Sequence, residues 1–476
     1  MAGLDLTHPV DPAEVGVDPA GVVELVEALE TEAAVEPHAL VILRHGRVIA
    51  RGGWRPHSPD RAGLVYSLSK SFTSTALGLA VDAGLVGLDE PFIAFFPEVD
   101  GPEVSERTRR LKVRHLAAMA TGHAVDMWPV LRGTPAGDLF RVFARMEPEA
   151  EPGSLFAYNQ LATYSIAEII RRRSGQRLLD YLRPRLLEPM GLRLAGWQQF
   201  QPGLDLGFSG LFASADAVAA LGQLYLRRGL WQGRRLLSEA WVDQATRFQV
   251  DNSTRPGQED PDWRQGYGFQ FWISRHGYRG DGAFGQYCLV LPDQDMVVAL
   301  TSQTLAMQSV LDLIWDNLLP AVGRRGTPQA EDPLADRQVE LPDLGGDGTG
   351  DIVFSADSVN FQVAGGREVD LTPPLVSAVE LRLAGGVGTV RLGDGQSELR
   401  LAARRGAWTT TEAGPDSPIT VAVGWDRDDQ SVRVDLLFLE TPHHAVLTCD
   451  LQTGACSIDW QTPPLVGCGL RDLGRP

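Results

Sequence analysis

Apolar side chains recur at helical spacing through residues 19–34, PAGVVELVEALETEAA, and predict an amphipathic helix close to the N-terminus. The period then shortens. HALVILRHGRVIARGGW holds two β-rich runs around His45-Gly46, a hairpin signal. SLSKSFTSTALGLAVDAGL returns to the helical period, with Leu68, Phe72, Ala76, Leu79 and Ala83 on one stripe and Gly84 as a natural stop, so Ser67 falls at the start of a buried helix. From about 90 to 265 the pattern is mostly helical, in VRHLAAMA, QLATYSIAEIIRRRSG, SADAVAALGQLYLRRG and SEAWVDQATRF. Strand signals come back in GYGFQFWISRHGYRG and QYCLVLPDQDMVVALTS, ahead of a helical stretch, QSVLDLIWDNLLPAVG.

Sheet segments at both ends with helices between them predict an α/β body over residues 1–322, its strands drawn from distant parts of the chain, with an all-α insertion at about 90–265. A cleft between the two parts is the natural ligand site. Residues 323–350 are rich in Gly, Pro and Asp without periodicity and read as a linker. Beyond them, short alternating runs such as VELRLA, ELRLAAR, ITVAVGW, VRVDLLFL and HAVLTCDL predict an antiparallel barrel or sandwich over 351–476.

Composition narrows the partners. With 43% hydrophobic and 22% charged residues the chain can fill ordinary cores, and its formal charge of −18 repels phosphate backbones and anionic headgroups. Nucleic acid and membrane are therefore not expected as partners. The N-terminus MAGLDLTHPVDPAEVG does not resemble a secretory signal, and no apolar run reaches the ~18 residues of a membrane span, so a cytoplasmic protein is expected. Cys288, Cys449, Cys456 and Cys468 show no CxxC pattern and no structural zinc site. Cys449 and Cys456 flank a turn that brings them close, with free thiols the expectation in a reducing compartment. Self-association is left open.

Candidate chemistry enters through an imbalance: of the 43 basic residues only Lys70 and Lys112 are lysine. A guanidinium stays charged in proteins, so a group that must give up a proton near neutral pH cannot be arginine. Ser67 and Lys70 are three apart and share a helical face. A lysine whose pKa is lowered by desolvation can activate a serine hydroxyl, and the N–H groups at a helix start suit a developing oxyanion.

Taken in order, SLSK, VRHLAAMATGH, PGSLFAYNQ and GFSGLFASADAVAALGQL resemble the landmarks of the serine β-lactamase and penicillin-binding-protein-like hydrolases, nearest the class C branch with its esterases and D-amino-acid peptidases. The resemblance spans about residues 15–322. It implies an antiparallel sheet flanked by helices with an all-α subdomain. It also implies Ser67 as the acylated nucleophile, Lys70 as its partner, and Tyr158 of a YxN motif as a proton relay, with Gln160 in the motif's Asn position. On the third motif strand, RGDGAFGQYCLVLP puts Gly280, Asp281 and Gly282 where the family has Lys or His, any residue, then Gly. The cation that holds the carboxylate of a β-lactam is thus missing. Arg279 is a substitute in a shifted register, and Asp281 favours a cationic or amine-bearing substrate. The backbone N–H of Ala283, with that of Ser67, is the candidate oxyanion hole.

The expectation is a serine hydrolase that forms an acyl-enzyme on Ser67 and cleaves a small-molecule ester or amide, without metal or organic cofactor. A β-lactamase, D-aminopeptidase or transesterase of the same fold is the alternative within the class, and a non-catalytic binding protein the alternative outside it. His115 and His123 read as scaffold. His443 and His444, adjacent on a strand, point to opposite faces and so do not share a metal. Trp128, Trp263 and Trp272 are read first as packing, with an apolar acyl pocket as the other reading.

Overall fold

In the computed structural model, which describes all residues except 1–5, 7, 132, 195, 256–257, 329–331, 342, 346–349, 364–375, 414–418 and 466–468, the first hairpin forms where the period changes. Strands β1 (Val35–Arg44) and β2 (Arg47–Gly53) pair antiparallel across His45 and Gly46, whose φ of 50° and 75° are what a tight two-residue turn needs. The other neighbour of β1 is the distant strand Met296–Thr304, paired from Val35 with Thr304 to Arg44 with Met296 and with one register shift between Pro37 and Ala39. The remaining order outward is Gln286–Leu291, Gly277–Gly282 and Trp272–Ser274, giving a six-stranded antiparallel sheet built from both ends of the body.

Helices cover this sheet. Helix α1 (Pro19–Thr31) packs with the helical segment Met307–Ala321, and Gly21 lets them close up, since a Cβ there would lie 2.3 Å from that of Ala321. The helix Ala215–Leu226 lies against Gln286–Leu291 and Met296–Thr304, where Gly222 leaves room for Val297 and Cys288. Segment 90–265 carries most of the other helices, together with short strand pairs between Gly196 and Arg235.

Helix α2 (Ser69–Asp82) differs from the one-stripe amphipathic reading: it is buried on every side from Ser69 to Ala80. Its polar side chains are tolerated because each finds an acceptor, Ser71 Oγ on the Gln270 carbonyl, Thr73 Oγ1 on that of Gly207 and Ser74 Oγ on that of Phe269. The helix is thereby bonded to the loops on both sides of it.

The C-terminal strands form a ten-stranded sheet over Ile352–Trp460, antiparallel except where Glu398–Arg405 pairs with Ile419–Arg427 and Asn360–Val363 with Cys456–Trp460. Ile352–Ala356 and Asn360–Val363 stand at opposite ends of its strand order although three residues separate them in sequence. So short a link spans at most ~14 Å, so the sheet must curl until its ends approach, which makes it a near-closed barrel. Alternating burial along Glu398–Arg405 marks its inward face. Cys449 lies opposite Cys456 in a hairpin, both unbridged, and Cys468 is outside the described residues. Among the described residues no helix is long and apolar enough to cross a membrane.

Body and barrel are joined by a buried ion triad. His444 Nδ1 meets Glu36 at 2.8 Å and its Nε2 meets Asp435 at 3.0 Å, beside Arg433. Burial opposes charge on the imidazole, but the two carboxylates override it and push the pKa up to about 10. Burial likewise works against Glu36 and Asp435, yet ion pairing holds both below the usual carboxylate range. The His444 contribution is therefore complete below the unfolded histidine value and lost as pH rises through 10, while the carboxylate contributions are lost as pH falls into the acid range. His444→Ala leaves two buried carboxylates short of a cation and is predicted to cost about 3–5 kcal/mol near neutral pH. Thermal unfolding checks this, and the loss of stability between about pH 6.5 and pH 10 should shrink in the variant.

Candidate active site

Ser67 lies half-buried in a single tight turn, Tyr66–Leu68, which leads into α2. Tyr66 holds a left-handed φ of 46°, unfavourable for a residue with a Cβ, so the turn needs external support. Ser69 supplies part of it: its Oγ donates to the Tyr66 carbonyl at 2.5 Å and accepts the Leu211 N–H at 3.0 Å.

One helical turn on, Lys70 is 1% exposed and its Nζ lies 3.0 Å from Ser67 Oγ, 2.6 Å from Gln160 Oε1 and 2.8 Å from the Phe208 carbonyl. Burial pushes the amine down from 10.5 to about 7, against the pull of Asp126 and Asp281. The arrangement has a directional consequence. Gln160 Oε1 and the Phe208 carbonyl can only accept, so they take two hydrogens of a neutral amine and leave its lone pair facing the Ser67 hydroxyl. Such a group can remove the serine proton.

Tyr158 is set by the two preceding landmarks. Gly153 N–H and Ala157 N–H donate to the carbonyls of Ala120 and Met119, fixing the PGSLFAYNQ loop on the VRHLAAMATGH segment. Its ring stacks on Trp272 at 5.2 Å, and Lys70 Nζ stands 4.5 Å from the ring centre. Burial first, then the Asp281 charge, raise the phenol well above its ordinary value, so it stays protonated and available as a donor. Asn159 caps the helix that begins at Gln160, which directs the Gln160 amide to Lys70.

The glycine-rich strand runs against the nucleophile turn. A Cβ on Gly282 would lie 2.1 Å from the Val65 carbonyl and 3.1 Å from Leu68 N, and one on Gly280 would lie 2.4 Å from Ser71 Oγ, so only glycine permits this approach. Ala283 follows at the start of the turn to Gln286–Leu291, so RGDGAFGQYCLVLP is a hairpin and not one strand. Asp281 and Arg279 project to the other face and bond to each other at 2.9 Å. Arg279 is fully buried and also holds the Asp262 carbonyl and Ser274 Oγ, with Trp263 stacked on its guanidinium. Neither charge is free: the anticipated cationic substitute at 279 and the anionic receptor at 281 neutralise each other.

Three neighbours of the site escape motif reading. Asp126 accepts the N–H groups of Gln160 and Trp128, and burial raises its pKa. Phe208 contributes its carbonyl, set between the left-handed glycines 207 and 210 of GFSG, and its ring centre lies 5.7 Å from Lys70 Nζ. Arg255 sits half-exposed with its guanidinium 5.8 Å from the Tyr158 ring centre. Trp128 packs on Phe200 and Phe208, and Trp263 and Trp272 are buried. His115 accepts the Lys112 N–H, and His123 bridges Thr121 and the Met146 carbonyl. Away from the cleft, Glu36, His38 and His57 are near enough to share an ion. The two rings, however, stack at 3.8 Å and 13°, so their in-plane lone pairs run parallel instead of converging.

The six-stranded sheet with helices packed over it has the layout of a β-lactamase-like hydrolase body. A family model described as beta-lactamase matches residues 22–320, more than half of the chain, and the chain belongs to that family. A 6-aminohexanoate-dimer hydrolase of Paenarthrobacter ureafaciens is 24% identical over 286 residues, 56% of this chain and 72% of its own. Penicillin-binding protein 4 of Amycolatopsis lactamdurans is 24% identical over 367 residues, 68% of this chain and 95% of its own. The solved structure of SurE, at 20% identity and TM-score 0.50, covers 88% of this chain and 97% of that one, so the likeness of fold runs beyond the body into the C-terminal sheet.

The scarcity of lysine makes the amine directly measurable. In protein labelled with [ε-13C]lysine, a Lys112→Arg variant retains a single lysine signal, from Lys70. It is predicted to titrate with a midpoint of about 7, whereas a midpoint near 10.5 contradicts the buried geometry.

Proposed function

We propose that this protein hydrolyses a small-molecule ester or amide through an acyl-enzyme on Ser67. The observation that carries the reading is the buried Lys70 amine, 3.0 Å from Ser67 Oγ with its other two partners both obligate acceptors. In acylation, Lys70 takes the Ser67 proton as Oγ bonds to the carbonyl carbon. The resulting oxyanion is held by the backbone N–H groups of Ser67 and Ala283. The proton passes by way of Lys70 and the Tyr158 hydroxyl to the leaving alcohol or amine as its bond to carbon breaks. Water then enters, loses its proton to the same pair and releases the acid, regenerating Ser67. No metal or organic cofactor has a part in these steps.

Substrate preference follows from the third motif. With Gly280 in the cation position and Arg279 paired to Asp281, no fixed cation on that strand receives a β-lactam carboxylate, which supports an esterase or amidase with weak β-lactam turnover. The name of the Paenarthrobacter relative supports an amide bond as one candidate linkage.

A fluorescent phosphonate is expected to add one equivalent of mass to the wild type and none to Ser67→Ala. Lys70→Ala and Tyr158→Phe should fold normally and lose several orders of magnitude in kcat/KM toward p-nitrophenyl esters, as groups acting in one relay do. Normal turnover in either variant contradicts the assigned roles. Because the base must be neutral, kcat/KM of the wild type is predicted to rise with pH through about 7 and then level off. A profile that falls across that range excludes Lys70 as the base.

A further inference from the structure

Among the residues of the body that carry side chains and adopt left-handed backbone, two stand next to the proposed oxyanion donors: Tyr66 (φ 46°) precedes Ser67, and Phe284 (φ 66°) follows Ala283. Neither turn is one that such residues adopt unaided. Their rings meet edge to face with centroids 5.2 Å apart, and a third ring, His443 of the C-terminal barrel, closes the group at 5.9 Å from Tyr66 and 5.5 Å from Phe284. All three are buried, His443 at 2% exposure.

His443 does more than pack. Its Nδ1 lies 2.8 Å from the Thr462 carbonyl, which can only accept, so Nδ1 carries the proton and Nε2 presents a lone pair. Tyr66 Oη donates to that lone pair at 2.7 Å. Burial lowers the imidazole pKa to about 3, so the acceptor stays intact across the working range of pH. The barrel touches the same segment again just upstream, where the Leu64 N–H donates to the Glu440 carbonyl at 2.8 Å. Within the body, Ser302 Oγ donates to the Gly285 carbonyl, and Gln286 Nε2 to that of Phe284, so the second turn is braced from its other side.

We propose that His443 is a positioning residue for the oxyanion hole, holding the two strained turns at the spacing that aims the N–H groups of Ser67 and Ala283 at one point. The proposal rests on the acyl-transfer reading above. It gives the C-terminal barrel a part in catalysis without contact with substrate: a barrel side chain sets the geometry of both donors.

The test uses the full chain, p-nitrophenyl butyrate and the phosphonate probe, with thermal unfolding of each variant. Tyr66→Phe, which removes one hydroxyl and keeps the ring, is predicted to lower kcat by about tenfold, and His443→Leu by about a hundredfold, with KM within about twofold of wild type. His443→Gln, whose side-chain carbonyl can accept the Tyr66 hydroxyl, should recover most of the loss. The double variant should be no slower than His443→Leu alone, because both changes break one link. Should His443→Leu fail to fold, Tyr66→Phe and His443→Gln carry the test. Unchanged kcat in Tyr66→Phe, or equal losses in the Leu and Gln variants, overturns the proposal while phosphonate labelling of wild-type Ser67 leaves the parent reading standing. A wild type that the phosphonate does not label overturns the parent reading and this proposal together.

Discussion

A primary amine enclosed by protein has few ways to satisfy its hydrogens, and around Lys70 those ways are nearly all specified. Two neighbours are oxygen atoms that can accept and never donate, and the third is a hydroxyl that can do either. Burial removes water as an alternative partner and disfavours the charged form, while the carboxylates of Asp126 and Asp281 keep the shift from running further. The outcome is an amine balanced near neutrality whose lone pair has one direction left to it. An arginine could not be tuned this way.

The rest of the body can be understood as what holds those three oxygens in place. Ser67 and Lys70 come from one turn and the helix it starts, Gln160 from the first residue of another helix, and the Phe208 carbonyl from a glycine-framed turn. Helix α2 runs through the interior, its hydroxyls bonded to the loops at 207 and 269–270, so nucleophile and base share a rigid support with the walls around them. Gly280 and Gly282 allow strand Gly277–Gly282 to lie against the nucleophile turn with no side chain of its own between. A polar helix in a core is costly unless every hydroxyl is bonded, and here the bonds link separate segments around a single site.

Local features were legible in the sequence because their causes are local. The β1–β2 hairpin follows from alternation around His45-Gly46, and the helix behind Ser67 from spacing and Gly84. That His443 and His444 face opposite ways follows from strand geometry, and the structure sends one to Tyr66 and the other to Glu36 and Asp435. Choice between barrel and sandwich was beyond alternation, which is the same in both; it was settled by strand order. Pairing of Arg279 with Asp281 was equally hidden, since residues two apart on a strand share a face but composition does not say whether they turn to each other or to a ligand. Asp126 and the Phe208 carbonyl reach Lys70 only through tertiary folding, and a backbone carbonyl leaves no mark on residue type.

The most direct test of the central claim is to locate the hydrogens on Lys70. In a neutron structure of crystals grown about one to two pH units above the amine's midpoint, the side chain should appear as a neutral amine with deuterium toward Gln160 Oε1 and the Phe208 carbonyl, and with the Ser67 deuterium pointing at Nζ. Three deuterium atoms on Nζ under those conditions, one of them directed at Ser67 Oγ, would contradict the account.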